Sequence, residues 1–313
     1  MAAAGRPGLS VTPSRARTAL AIGAAVLAML IYASQFVLSR WSMQRTLSLW
    51  DLAALRFTVA GLVSLPVLLR HRPAGAVAWR RVAALSVAAG APYTLIMYAG
   101  LVLAPAAHGA VIVTGVTAVV TTALAWLWFG VRPWPVRTAG LVLVVIGLVL
   151  VGSPGVGGGG RAWLGDALFI VAGVLFALFT VGARHWRVDP LPATAAVWVL
   201  ALPYVPIYAA VAGPRVLEAP RGEVVFQALF QGLGVAIAAL ALYAWAIRVL
   251  GDARAALFMP LVPVFGVLLG LAVLGEVPEA VQVVGMAGVT LGMALAAARA
   301  DQSARSAKSG VLR

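Results

Sequence analysis

Residues 275–282 read Gly275-Glu276-Val277-Pro278-Glu279-Ala280-Val281-Gln282, and residues 130–137 read Gly130-Val131-Arg132-Pro133-Trp134-Pro135-Val136-Arg137. Both are Gly-x-x-Pro turns, and they stand 145 positions apart. The likeness extends outward at the same offset. Ala110, Val119, Leu124, Val136, Gly140, Gly147 and Leu150 recur as Ala255, Val264, Leu269, Val281, Gly285, Gly292 and Leu295. Self-similarity at a fixed offset marks a repeated architecture. The two turns differ in charge: the first carries Arg132 and Arg137, the second Glu276 and Glu279. A turn that is cationic in one copy and anionic in the other reads as one placed on opposite sides of a membrane.

Composition supplies the membrane. Of 313 residues, 63% are hydrophobic and only 10% are charged. A soluble domain carries about 25% charged residues, so a soluble globular protein is excluded. About 20 apolar residues span the hydrocarbon core as a helix. Membrane strands would alternate in polarity, whereas these runs are apolar at consecutive positions. Arg, Pro and Gly divide them into ten predicted spans: 18–38, 50–70, 82–103, 107–128, 135–151, 164–183, 193–212, 224–247, 254–274 and 279–298. The fold class is therefore an all-α membrane protein.

The low-complexity stretch Gly152–Gly160 falls between spans five and six. It divides the chain into an N-terminal tail (1–17), a first five-helix repeat (18–151), a Gly-rich linker (152–161), a second five-helix repeat (162–298) and a C-terminal tail (299–313). The tails are polar, small and basic, and are expected to be disordered. Five spans is an odd number, so the second repeat must be inverted. With a cytoplasmic N-terminus, 17 basic residues fall inside and 5 outside, Arg40 among the latter, and Arg56 lies within a span. This split supports the orientation, with both termini cytoplasmic. It also accounts for the net charge of +14 without nucleic acid. Inverted repeats are the signature of secondary transporters, whose halves exchange conformations about a central site.

The stretch from Tyr243 to Ala296 includes Pro263-Val264-Phe265, Gly275-Glu276 and the pair Gly285/Gly292. Leu55-Arg56-Phe57 and residues 97–110 extend the pattern into the first half. In these features the chain resembles the EamA branch of the drug/metabolite transporter superfamily. The resemblance implies ten helices in two repeats, with helices one to four and six to nine lining a cavity. It also implies a plasma-membrane location, export of a small organic metabolite or drug, amino acid-like or other, and no cofactor. It places helices five and ten at a dimer or peripheral interface, so a homodimer is one expectation. Two departures stand out. Ala118 and Val131 occupy the first-repeat counterparts of Pro263 and Glu276, and residues 18–38 lack the embedded acid of small multidrug relatives.

Ionisable groups within a bilayer are functional candidates because they are costly unless paired or wet. Arg56 reads either as an anion or carboxylate contact at the outer mouth of the cavity or as a structural arginine tied to helix-end carbonyls or snorkelling outward. Glu276 reads as a gate or proton site, or as a turn residue in the aqueous interface. Asp166 reads as a charge at a helix start. His71, His108 and His185 have no metal-ligand spacing, so no metal site is expected. The absence of cysteine excludes disulfides and thiolate chemistry.

Tyr32, Gln35, Tyr93, Tyr98, Thr114, Thr117, Gln231, Tyr243 and Trp245 are polar-tipped or aromatic residues inside spans. Together with Arg56 they suggest an amphipathic cavity for an organic solute, with helix packing as the alternative for each. Pro260 and Pro263 are the expected hinge, since proline removes a helix hydrogen bond and such kinks line cavities or moving interfaces. Gly140/Gly147 and Gly285/Gly292 are expected to allow close helix approach. A membrane enzyme would need clustered acids, a Gly-x-Ser-x-Gly or a His-Glu-x-x-His, and none is present. A scaffold and a passive channel are the remaining alternatives.

Overall fold

The computed structural model describes residues 14–71, 73, 75–153, 160–211 and 215–298. Most of the expected tails and linker therefore lie outside the described residues. Ten apolar helical segments follow in order: α1 (Arg15–Met43), α2 (Leu49–Arg70), α3 (Gly75–Leu103), α4 (Ala106–Phe129), α5 (Pro135–Val151), α6 (Ala162–His185), α7 (Leu191–Val211), α8 (Arg221–Leu250), α9 (Asp252–Leu274) and α10 (Ala280–Ala298). All but α5 have the length and hydropathy to cross a membrane, and α5 is shorter at 17 residues. That is still within the range that spans.

α1 runs further than expected at both ends. Ser14 caps it by accepting from the Arg17 amide at 3.3 Å, so residues 14–17 belong to its start and not to a tail. At the other end Arg40 is helical, not part of a loop, because its side chain has partners there. α2 begins in a capping box: the Asp51 amide donates to Ser48 Oγ at 3.2 Å and the Ser48 amide donates to Asp51 Oδ2 at 2.7 Å.

Prolines and glycines interrupt four helices. α3 breaks at Gly90, followed by Pro92, and α7 breaks between Val199 and Tyr204, next to Pro203. α9 breaks over residues 257–260, where Leu261 and Val262 donate to carbonyls three residues back, Phe258 and Met259. Pro260 and Pro263 lack the amides an α-helical ladder needs, and tightened bonds take over there. α8 and α9 also widen to π-helix at Phe230–Ala238 and Gly270–Leu274. α4, the counterpart of α9, carries Ala118 where α9 has Pro263 and is unbroken from Ala106 to Phe129.

Packing follows a pseudo-two-fold relation between the halves. α1 packs on α8 and α9, and α6 packs on their counterparts α3 and α4. α2 packs on α7, and α5 on α10, each pairing mapping onto itself. The two Gly-x-x-Pro turns share a backbone shape: Gly130 and Gly275 both cap their helices at φ +66°. This left-handed conformation is cheap only for glycine. At the α5–α10 crossing, a Cβ on Gly140 would lie 2.6 Å from the Gly292 carbonyl, and one on Gly147 would lie 2.5 Å from that of Gly285. Glycine pairs let two backbones touch where lipid supplies no hydrophobic drive.

Candidate functional site

α1, α3, α6, α7, α8 and α9 all have an end at the side where α5 gives way to α6, here termed the linker side. The opposite side carries the first and last described residues, Ser14 and Ala298, and is termed the terminal side. Measured at 1.5 Å per residue, the polar side chains between the halves form successive layers.

The first layer lies at the linker side. Glu276 pairs with the Arg40 guanidinium, which also donates to the Leu101 carbonyl. Its second oxygen accepts the Ala106 amide, the first of α4, at 2.9 Å. A carboxylate suits the partly positive start of a helix. One side chain thus ties α1, α4 and the end of α9. Nearby, Tyr208 donates to Asp51, and Tyr204 donates to the Trp50 carbonyl at 3.2 Å. His108 Nδ1 lies 2.9 Å from Asp166 Oδ1, joining α4 to α6, and both residues are buried. Asp166 therefore does more than charge a helix start.

A second layer is built from amides and hydroxyls. Gln227 Nε2 donates to the Leu38 carbonyl and Ser42 Oγ, each at 2.9 Å. Ser42 in turn donates to Glu223 at 2.6 Å. Gln231 Nε2 donates to Ser39 Oγ at 2.8 Å, and its carbonyl accepts from Tyr98 at 3.2 Å. Tyr98, Gln227 and Gln231 are fully buried. Tyr98 and Gln231 thus seal the centre on the linker side.

Arg56 stands next, 4% exposed. Its Nη1 donates to Gln35 Oε1 at 3.2 Å, and its guanidinium lies 4.9 Å from the centre of the Trp198 ring. Asp51, five residues earlier, is committed to Ser48 and Tyr208. Among the described residues no carboxylate pairs with Arg56. Tyr32 and Tyr93 are close enough to interact with its charge, and Tyr243 interacts with Tyr32. Tyr93 packs on Phe176, ring centres 5.5 Å apart.

The sequence-derived set therefore divides. Tyr32, Gln35, Arg56, Tyr93 and Tyr243 gather around one centre. Thr114 turns its hydroxyl back to the Ala110 carbonyl at 2.6 Å. Thr117 bonds to Val113 at 2.6 Å and to the Gly173 carbonyl at 3.2 Å, so it fastens α4 to α6. Trp245 is half-buried and two residues beyond Tyr243, about 200° around the helix. It cannot share the face of Tyr243. An apolar groove of about 650 Å³ lies elsewhere, on the terminal side, between Leu85, Leu127, Trp128, Leu175 and His185. At the centre Arg56, Tyr93 and Tyr98 are buried, and Tyr32 and Tyr243 are half-buried.

Sequence reasoning missed Trp198, Ser39, Gln227, the partners of Arg40 and the His108–Asp166 pair. Gln227 and Gln231 carried a readable signal, being two amides one turn apart in an apolar span. Trp198 carried another, since it sits well inside a span whereas most tryptophans lie near span ends.

An all-helical bundle of two inverted repeats around a buried polar centre defines a polytopic membrane protein. The EamA-like transporter family matches twice, over residues 19–153 and 163–298. The chain belongs to that family. It is also similar to a solved structure described as "Crystal structure of protein", at 21% identity and a TM-score of 0.56, over 91% of this chain and 97% of the other. That likeness concerns the fold. No curated protein matches the chain.

Proposed function

We propose that the protein is a secondary transporter which exports a small organic solute across the plasma membrane by alternating access, with both termini cytoplasmic. The single observation behind this reading is the one-sidedness of the bonds between the halves. Among the described residues, side-chain hydrogen bonds between the two halves gather on the linker side, with Thr117–Gly173 near the middle. An inverted repeat whose halves are latched at one end is what one of two exchanging states requires. In this orientation the latched side is the extracellular one. Breaks at Pro203 and Pro260 supply the bending points.

The repeats 18–151 and 162–298 act as the moving halves, joined by 152–161. Val145 and Val149 on α5 and Leu291 and Leu295 on α10 are exposed, which suits these helices to lipid contact. The test is counterflow in proteoliposomes preloaded with fractionated cell metabolites. Trans-stimulated exchange of some organic fraction is expected. Absence of solute-dependent exchange with every fraction would overturn the transporter reading.

A further inference from the structure

Two buried donors meet at the centre with nothing to accept from them. Arg56 Nε and Trp198 Nε1 are both buried and lack a hydrogen-bond partner. They belong to side chains in direct contact, guanidinium over indole at 4.9 Å. Arginine and tryptophan side chains donate and never accept. A buried donor left unmade is destabilising, and more so when charged. A full positive charge without a counter-ion in a membrane core adds a further cost. The cation–π contact offsets only part of this.

The neighbours do not remedy the shortage. Gln35 turns its carbonyl to Arg56, which leaves its NH2 group as another donor beside the guanidinium. Tyr32 and Tyr93 bring hydroxyls, and Tyr93 with Phe176 brings an aromatic wall. Among the described residues no acid forms an ion pair with Arg56. Asp51 is held by Ser48 and Tyr208, Glu276 by Arg40 and Ala106, and Asp166 by His108, all toward the linker side. Asp252, at the terminal end of α9, lies within electrostatic reach of Tyr243 but forms no ion pair with Arg56.

We infer that Arg56 and Trp198, with Gln35, form a binding site for the carboxylate of an organic monoanion whose apolar body lies against the tyrosines. This rests on the transporter reading and adds the substrate class. One carboxylate supplies the acceptors the site lacks, and a single arginine balances a single charge. A dianion would leave one charge unmatched. An amino acid would bring an ammonium that has no acid beside Arg56, and an amine would meet a buried cation. The site therefore favours a simple carboxylic acid over its amino-acid and amine analogues. Tyr32 and Tyr243 are half-buried while Arg56 is buried, so the site is approached from the terminal side, away from the latch.

The experiment uses full-length protein in proteoliposomes and in detergent, with acetate, butyrate, benzoate and indole-3-acetate as probes. Phenylalanine and phenethylamine serve as the zwitterion and amine counterparts of the aromatic acids. At least one carboxylate is expected to raise the unfolding temperature in a saturable way and to exchange in counterflow, with the counterparts weaker. R56Q is expected to weaken that carboxylate roughly 10- to 100-fold, the loss of a charge-assisted contact. R56K keeps the charge and loses the fork, so its affinity falls between the two. R56Q should melt no lower than wild type without solute, because it removes an unmatched buried charge. W198F keeps the ring and removes only the donor, and is expected to weaken carboxylates while leaving phenethylamine unchanged. The proposal fails if no carboxylate outperforms its counterparts, or if R56Q binds carboxylates as wild type does. Exchange of other solutes in that case would leave the transporter reading standing. Carboxylate binding without exchange would do the reverse.

Discussion

Gly147 and Gly285 face each other at the crossing of α5 and α10, each against the other's carbonyl oxygen. A Cβ on Gly147 would come within 2.5 Å of the Gly285 oxygen, and one on Gly285 within 2.7 Å of the Gly147 oxygen. Gly140 and Gly292 repeat the arrangement one crossing further along, at 2.6 and 2.5 Å. Offset by 145, Gly140 becomes Gly285 and Gly147 becomes Gly292. Each contact is therefore the image of the other under exchange of the repeats, as a self-complementary two-fold interface demands.

This crossing gives the first prediction. G147A and G285A each push a methyl group into backbone, which cannot move aside as a side chain can. Each is expected to lower stability by about 1–3 kcal/mol, the usual cost of overpacking. G23A meets nothing within 4 Å and lies inside α1. It is expected to be neutral or to stabilise by about 0.5–1 kcal/mol, because alanine favours helix. Reversible unfolding in mixed micelles measures all three.

His108 and Asp166 give the second prediction. They are 3% and 7% exposed and bonded at 2.9 Å. H108A leaves a buried carboxylate without a partner, at an expected cost of about 2–4 kcal/mol. D166N keeps an acceptor and should cost less. The H108A/D166A double variant is expected to be less damaging than the sum of the singles, since the second change removes the group the first left stranded. Additive losses in the same unfolding assay would mean the two side chains are not coupled.

Ten helices, two repeats and the close crossing of α5 and α10 could be read because each rests on local pattern. Apolar runs set the helices, and Gly140, Gly147, Gly285 and Gly292 stand out in an apolar face by their smallness. Tyr32, Gln35, Arg56, Tyr93 and Tyr243 follow from one rule, that polar groups in lipid turn inward. That rule states a direction and names no partner. It could not pair Arg56 with Trp198 across α2 and α7, or His108 with Asp166 across α4 and α6, because those meetings depend on tertiary packing. For the same reason it does not separate the central residues from Thr114 and Thr117, whose hydroxyls bond to backbone carbonyls. A threonine in a helix can always satisfy itself that way. Arg40 was lost to a boundary error of a few residues, and with it the partner of Glu276.

The orientation of the repeats gives the third prediction. A reporter fused after Gly160 is expected on the extracellular side, and one fused after Arg187 on the cytoplasmic side. The basic residues Arg184 and Arg187 follow α6, and Arg132 and Arg137 flank the loop before α5, on what is then the same side. Positive charge is retained in the cytoplasm. Reporter activity in the opposite sense would reverse the assignment of the latched side.

The latch itself gives the fourth prediction. Glu276 holds Arg40 and the Ala106 amide, so E276A releases α9 from α1 and from α4 in one change. Hydrogen bonds to a charged group contribute about 1.5–3 kcal/mol each in favourable cases. Their loss from one of two exchanging states shifts the balance toward the other by about tenfold or more. The chain contains no cysteine, so a single S39C variant reports on the linker side without background. Ser39 is buried in the second layer, bonded to Gln231. S39C is expected to react slowly with a membrane-impermeant maleimide, and at least several-fold faster once E276A is added. E276Q retains an acceptor for the Ala106 amide but not the charge for Arg40, so its rate is expected to fall between the two. Labelling that ignores Glu276 would show that this carboxylate ends a helix and does not hold the two halves closed.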